Sequence, residues 1–267
     1  MLSIIRREFT LRRNLILIFG IIIIVLVSLY TPLYPSIQAN SSKFNQLINA
    51  FGNIYKDVGI EGTVAFNNLE NYMSTELFGL TWPILVIVFV IGLSGSTLAG
   101  EIETGSFGML LAQPVNRTVI YLAKFMSGII GIATLVILSS FTIPLIAIGL
   151  GIHFRISHFF SIALLGLLFA TAVYSIGMMI SAASNIKGRV YGLTGVIILI
   201  MYVSNIVAGL RQSLGGLKYI SLFHYFNAGA ALGYNHISSV SIYVFLGVIV
   251  VCNTLGAIIL NKRDVII

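Results

Sequence analysis

Residues Asn14–Leu33 read NLILIFGIIIIVLVSLYTPL. No charge interrupts the run, and its length matches the roughly 20 residues a helix needs to cross about 30 Å of hydrocarbon. Tyr30 and Tyr34 stand where an interfacial aromatic belt is expected. Pro32 and Pro35 are expected to end the helix, because each lacks an amide proton and crowds the preceding turn. Arg6, Arg7, Arg12 and Arg13 precede the run with no small-residue cleavage pattern, so it reads as a retained anchor. Leu2, Ile5 and Phe9 share one helical face among those arginines. Residues 1–13 are therefore expected to form an interfacial helix whose basic side meets anionic headgroups.

The rest of the chain has the same character. Of 267 residues, 58% are hydrophobic and 9% charged, with a mean hydropathy of +1.02. Soluble domains carry about 25% charged residues, so this is an integral membrane protein. No alternation at barrel spacing recurs, which makes the spans helical. Further runs cover approximately Phe78–Ala99, Phe125–Leu150, Phe159–Ala183, Val190–Leu210 and Val240–Leu260. The expected fold is all-α, with six transmembrane helices in one domain covering 1–267. The second span ends in small residues, Gly92, Ser94, Gly95, Ser96, Ala99 and Gly100, which let helices approach closely in lipid.

Two connections stand out. Pro35–Leu77 is the longest polar stretch and reads as an extracellular loop. Arg211–Ser239 is too short and polar to cross, yet too apolar to be solvated. A re-entrant hairpin on the outer side, before the last span, fits it if its backbone is buried in protein. Charge fixes the orientation. Ten of the fifteen Lys and Arg residues fall in segments assigned inside: Arg6, Arg7, Arg12, Arg13, Arg117, Lys124, Lys187, Arg189, Lys262 and Arg263. The positive-inside bias places both termini in the cytoplasm. It also accounts for the net charge of +7 without a nucleic-acid partner.

Between the second and third spans lies Gly100–Lys124, GEIETGSFGMLLAQPVNRTVIYLAK. It opens on Glu101 and Glu103. Phe107, Leu110 and Leu111 follow at i, i+3 and i+4, one face of a short helix. Pro114 stops that helix at Gln113, and Asn116 is placed to cap a new one from Arg117. The expected shape is helix, break, helix, held at the cytoplasmic surface where another protein can grip it.

Catalytic signatures are missing. There is no G-x-x-x-x-G-K-[ST] for ATP, no H-E-x-x-H and no G-x-S-x-G. His153, His158, His224 and His236 all fall in outer segments, with poor ligand spacing and few acidic partners, so no metal or other cofactor is expected. Cys252 is alone, which excludes a disulfide within the chain. Every Asp and Glu sits in an expected loop or span end. A carrier driven by protons or sodium usually places an acid at mid-membrane depth. If this chain transports, its energy comes from elsewhere.

Gly100–Phe107, Leu110–Arg117 and Lys124-Phe125 together resemble the E-x-E-x-G-(T/S)-x-x-x-L-L-x-x-P-(V/I)-(S/T)-R…G-K-(F/L) block of type-2 ABC transporter permeases. Arg7-Glu8-Phe9 with Arg13-Asn14 resembles that family's N-terminal helix. Leu222–Phe226 is similar to its S-P-F-x-Y-(F/L) segment. Ala123 stands in place of the usual Gly, Asn116 in place of Ser or Thr, and Leu222 in place of Pro. The resemblance implies a six-helix exporter subunit without its own ATPase domain, paired with a second permease subunit, alike or different. It would be driven by separate ABC ATPase subunits in a plasma membrane, prokaryotic in type. Glu101–Gln113 would be the coupling helix, with Glu101, Glu103, Phe107, Leu110, Leu111 and Arg117 as docking residues. For Glu101 and Glu103, pairing with the ATPase and simple solvation stay open. For the apolar three, docking and packing against the protein's own spans stay open. Two other functional readings also stand: a membrane-embedded enzyme using His224 or His153 in an outer pocket, and a non-transporting immunity or structural membrane protein. The cargo, whether peptide, lipid-like or other amphiphile, is not legible.

Overall fold

The computed structural model describes residues 2–39, 68–108 and 115–263, and among these all regular structure is helical. In chain order the α-helices are α1 (Leu2–Ala39), α2 (Leu69–Glu76), α3 (Trp82–Gly95), α4 (Leu98–Glu103), α5 (Arg117–Gly149), α6 (Ile156–Ala183), α7 (Lys187–Leu210), α8 (Leu222–Tyr225) and α9 (Ser239–Lys262). Six stretches are long and apolar enough to cross a membrane, with α2 through α4 counting as one. The six-span all-α fold expected from the sequence is the fold observed. α6 is the central span, packed against α3, α5, α7 and α9, while α1 lies chiefly along α5.

Three boundaries differ from expectation, each for a local reason. α1 runs unbroken from Leu2 through Pro32 and Pro35, so no turn separates the expected interfacial helix, 1–13, from the first span. Near its prolines the helix is braced from outside: Tyr72 donates from its hydroxyl to the Tyr30 carbonyl at 3.2 Å, and the Tyr34 and Tyr72 rings lie 5.7 Å apart. The expected loop 35–77 is shortened from both ends. Asn68 caps α2 by accepting from the Asn71 amide at 2.8 Å, and α2 buries Leu69, Tyr72 and Met73. Residues 40–67 of that loop lie outside the described residues. A π-helical turn, Leu77–Thr81, then leads into α3. Pro83 cannot donate to the carbonyl four residues back, and a widened turn absorbs that mismatch.

The expected hairpin, 211–239, is a series of short turns: a 3₁₀ stretch Gln212–Ile220, α8, and a π turn Gly229–Gly233. Its backbone is covered by protein on one side, where Ser221, Leu222, Phe226, Ala231 and Leu232 are buried. Phe226 stacks on Trp82, with centroids 5.5 Å apart and planes 10° from parallel. This seats the segment on the far end of α3.

Several glycines in the spans receive aromatic rings, Tyr191 at Gly95, Tyr174 at Gly128, Trp82 at Gly166 and Tyr121 at Gly256. The Phe125 and Tyr174 rings stack at 5.5 Å, and a Cβ on Gly128 would come within 2.2 Å of the Tyr174 ring and hydroxyl. Because that ring is fully buried, it cannot swing away. Gly128→Ala is therefore expected to cost about 1–3 kcal/mol through overpacking. Gly192→Ala, which meets nothing within 4 Å, should leave stability unchanged. Thermal unfolding of the two detergent-purified variants checks the contrast.

Candidate functional site at the basic end

One end of the bundle gathers the start of α1, all of α4, the start of α5, the α6–α7 turn and the end of α9. Its centre is a buried set of charges. Glu8 and Arg12 are one turn apart on α1, which puts them on the same face. Arg12 Nη2 lies 2.5 Å from Glu8 Oε2. Lys124, from the second turn of α5, places Nζ 2.6 Å from Glu8 Oε1 and 2.8 Å from Glu101 Oε1. Lys124 and Glu8 are 0% exposed, so water does not share in their solvation. Two carboxylates and two cations cancel, which is the condition under which charges can stay buried. The ammonium donates a hydrogen bond to Glu8 and forms an ion pair with Glu101, tying α1 and α4 to α5. Glu101 Oε2 and Arg12 Nη1 remain buried without a hydrogen-bond partner.

α4 reaches this cluster through a bend. Thr97 Oγ1 donates to the Leu93 carbonyl at 2.6 Å and Ser96 Oγ to the same carbonyl at 3.0 Å, back-bonds that deflect a helix. The Ala99 amide leaves the helical ladder and donates to Ser181 Oγ on α6 at 3.0 Å. The small residues expected to bring helices together do so here: a Cβ on Gly95 would lie 2.2 Å from the Tyr191 ring of α7. After Glu103 the chain turns at Gly105, whose φ of +71° is the left-handed conformation that glycine adopts without strain.

The remaining charged residues of the segment are also engaged within the chain. Glu103 is exposed, and its Oε2 accepts from the Lys187 amide at 2.8 Å. That sets a carboxylate at the N-terminus of α7, where the helix dipole favours it. Arg117 Nη1 donates to the Leu260 carbonyl at 3.3 Å and the Arg263 carbonyl at 2.5 Å, satisfying the end of α9. Arg263 in turn donates from Nη1 to the Ala182 and Ser184 carbonyls at 2.9 and 3.1 Å, closing α6. Asn116 caps α5 as expected, accepting from the Thr118 amide at 3.2 Å.

Of the six residues expected at the docking surface, the structure places Glu101 and Phe107 inside the protein, Phe107 within its own core. Glu101 has an internal partner in Lys124, which the sequence alternatives did not include. For Phe107 the placement matches packing against the protein's own spans. Glu103 stays at the surface, Arg117 at the start of α5 is half-buried against the end of α9, and Leu110 and Leu111 lie outside the described residues. Sequence reading counted Arg12 and Lys124 toward the inside charge and met Glu8 and Lys124 within the family resemblance, but paired none of them. The available signal was a lone acid among four arginines and a lone lysine entering an apolar run.

At the far end, His158 is buried with Nδ1 2.7 Å from the Leu232 carbonyl. His224 lines a cavity of about 30 Å³ with Ser74, Asn205 and Asn227, room for a water and little more. Among the described residues no group of three His, Cys, Asp or Glu converges on a metal position. A larger apolar groove of about 310 Å³ lies between α3 and α7, lined by Leu80, Ile84, Ile87, Ile198, Leu199 and Tyr202.

A family model described as ABC-2 family transporter protein matches residues 2–265. The chain belongs to that family. Searched against curated proteins, the sequence gives no match. Membership makes this ABC-2 protein the membrane component of an ABC transporter, a permease and not the catalytic subunit, and implies an ABC ATPase partner and typically a second permease.

In this ABC-2 protein, Lys124→Met would leave Glu8 and Glu101 facing each other without their shared cation. The expected loss is about 3–5 kcal/mol, the usual cost of removing one partner from a buried pair. Adding Glu101→Gln should recover part of it. A double-mutant cycle on unfolding of the full chain measures the coupling; additive effects would contradict the shared bond.

Proposed function

We propose that this ABC-2 protein is the permease of an ATP-driven exporter whose separate ATPase docks on the segment around 101–117. The basic end faces the cytoplasm in this reading, in keeping with the two-to-one excess of Lys and Arg there. Docking falls to Leu110, Leu111 and the exposed Glu103, since buried apolar anchors carry most interface energy and exposed ion pairs little. Glu101, Phe107 and Arg117 act one step behind them by holding the segment against α1, α5 and α9.

The observation that carries the reading is Lys124's double contact. A push on the docked segment is a push on Glu101. Glu101 cannot leave Lys124 without stranding a buried charge, so α4, α5 and α1 move as a unit. The apolar groove between α3 and α7 then supports a cargo path completed by the second permease, which suits an amphiphilic substrate such as a peptide or lipid-like molecule. The enzyme reading is disfavoured by the small size of the His224 cavity.

Co-purification with the ATPase tests the docking assignment. Leu111→Glu should abolish capture of the ATPase while membrane insertion and thermal stability survive. Lys124→Met combined with Glu101→Gln should retain capture but lose ATP-dependent export from vesicles. Capture by Leu111→Glu at the unaltered level, or full export by the double variant, would count against the respective half of the proposal.

A further inference from the structure

A second groove, about 490 Å³, lies between α5 and α9, away from the α3–α7 face. On α9 it extends from Ile249 to Asn261, next to the basic end. At 1.5 Å per residue that is roughly 18 Å, close to the ~15 Å depth of one leaflet's hydrocarbon. Its walls are apolar, with Leu122 and Phe125 from α5 facing Val250, Ala257 and Ile258. Its polar lining is already satisfied. Asn253 donates to Ser175 Oγ at 3.0 Å and accepts from the Tyr121 hydroxyl at 3.2 Å, and Thr254 bonds back to Val250. Asn261 donates to Thr118 at 2.8 Å across the mouth. Such a lining asks its occupant for apolar contact and for no hydrogen bonds.

The mouth has the opposite character. Arg117 and Lys262 adjoin the lining residues Thr118 and Asn261, and Arg263 follows. Among the described residues none of these three cations has a carboxylate within 4 Å, because all ion pairs there belong to the Glu8–Arg12–Glu101–Lys124 cluster. Arg117 and Arg263 spend donors on helix-end carbonyls, but Lys262 is exposed and among the described residues its ammonium has no such partner. Asp264, the next residue, lies outside the described residues.

We infer that this groove holds one acyl chain of an anionic phospholipid, with the headgroup phosphate at Lys262 and Arg117. Charge complementarity at the mouth selects the headgroup, since cations at a membrane surface attract anionic lipid. The groove's extent selects a lipid over a second protein chain. A partner helix crosses both leaflets, whereas this groove ends at Ile249, near the middle of α9, with the Tyr121–Asn253–Ser175 bonds along its back wall. The inference does not depend on the ATPase or on which side faces the cytoplasm.

The test places the full chain in nanodiscs containing equal phosphatidylglycerol and phosphatidylcholine, the same in both leaflets, and ejects it for native mass spectrometry. Phosphatidylglycerol should be retained preferentially. Lys262→Gln, an exposed change that leaves folding intact, should lower that preference about fivefold. Ala257→Trp, which fills the groove, should abolish retention of both lipids, while Val203→Trp on the exposed face of α7 should change nothing. Soluble glycerol phosphate should not displace the lipid. Equal retention of the two lipids by the unaltered chain would overturn the inference as ordinary boundary lipid. So would a preference untouched by both groove variants, or loss of a dimer in Ala257→Trp, which would make this face a protein contact.

Discussion

The ammonium of Lys124 sits between two carboxylates that belong to helices distant in sequence. In water such contacts are worth little, because each ion is already well solvated. Buried, they are obligatory: separating any one of them exposes a full charge to protein interior. The start of α1, the bend of α4 and the second turn of α5 are therefore held in register by charge as well as by apolar contact. In lipid such contacts give no strong preference for one arrangement over another. The cluster supplies the directional term that apolar packing lacks.

Around that cluster the same economy repeats at each helix end. Glu103 satisfies the first amide of α7, Arg117 the last carbonyls of α9, and Arg263 those of α6. Each long polar side chain stabilises a terminus that belongs to a different span. The result is a mesh in which the segment after the second span touches, directly or through one neighbour, every other span. This mesh ties the segment to the whole bundle, in a chain that belongs to a family of transporter membrane components.

Much of the fold was legible in the residues themselves. Long uncharged runs separated by charged or aromatic stretches leave little choice but six helices, and Asn116 and Pro114 marked the start of α5. Boundaries were harder. Pro32 and Pro35 break a helix in isolation, but Tyr34 and Tyr72 pack there and hold α1 together, a tertiary contact that a local pattern does not contain. The site was only half legible. Glu101 stood out as a charge next to an apolar run, yet its partner is 23 positions away on α5, and the partner's other contact is on α1. Spacing within one helix reveals Glu8 with Arg12; nothing in spacing reveals Lys124 with either acid. Leu110 and Leu111 were visible only as one face of a short helix in the sequence pattern.

The unbroken course of α1 has a mechanical meaning. Between Leu2 and the first proline lies roughly 45 Å of continuous helix, with the charged cluster near one tip and the Tyr30–Tyr72 bond near the other. A stiff rod pinned close to one end magnifies small rotations. Each degree of tilt imposed at Glu8 carries the first proline, roughly 36 Å away, by roughly 0.6 Å. Because the rod is held at both ends, a tilt at the basic end reaches the Tyr30–Tyr72 contact with no unfolding along the way.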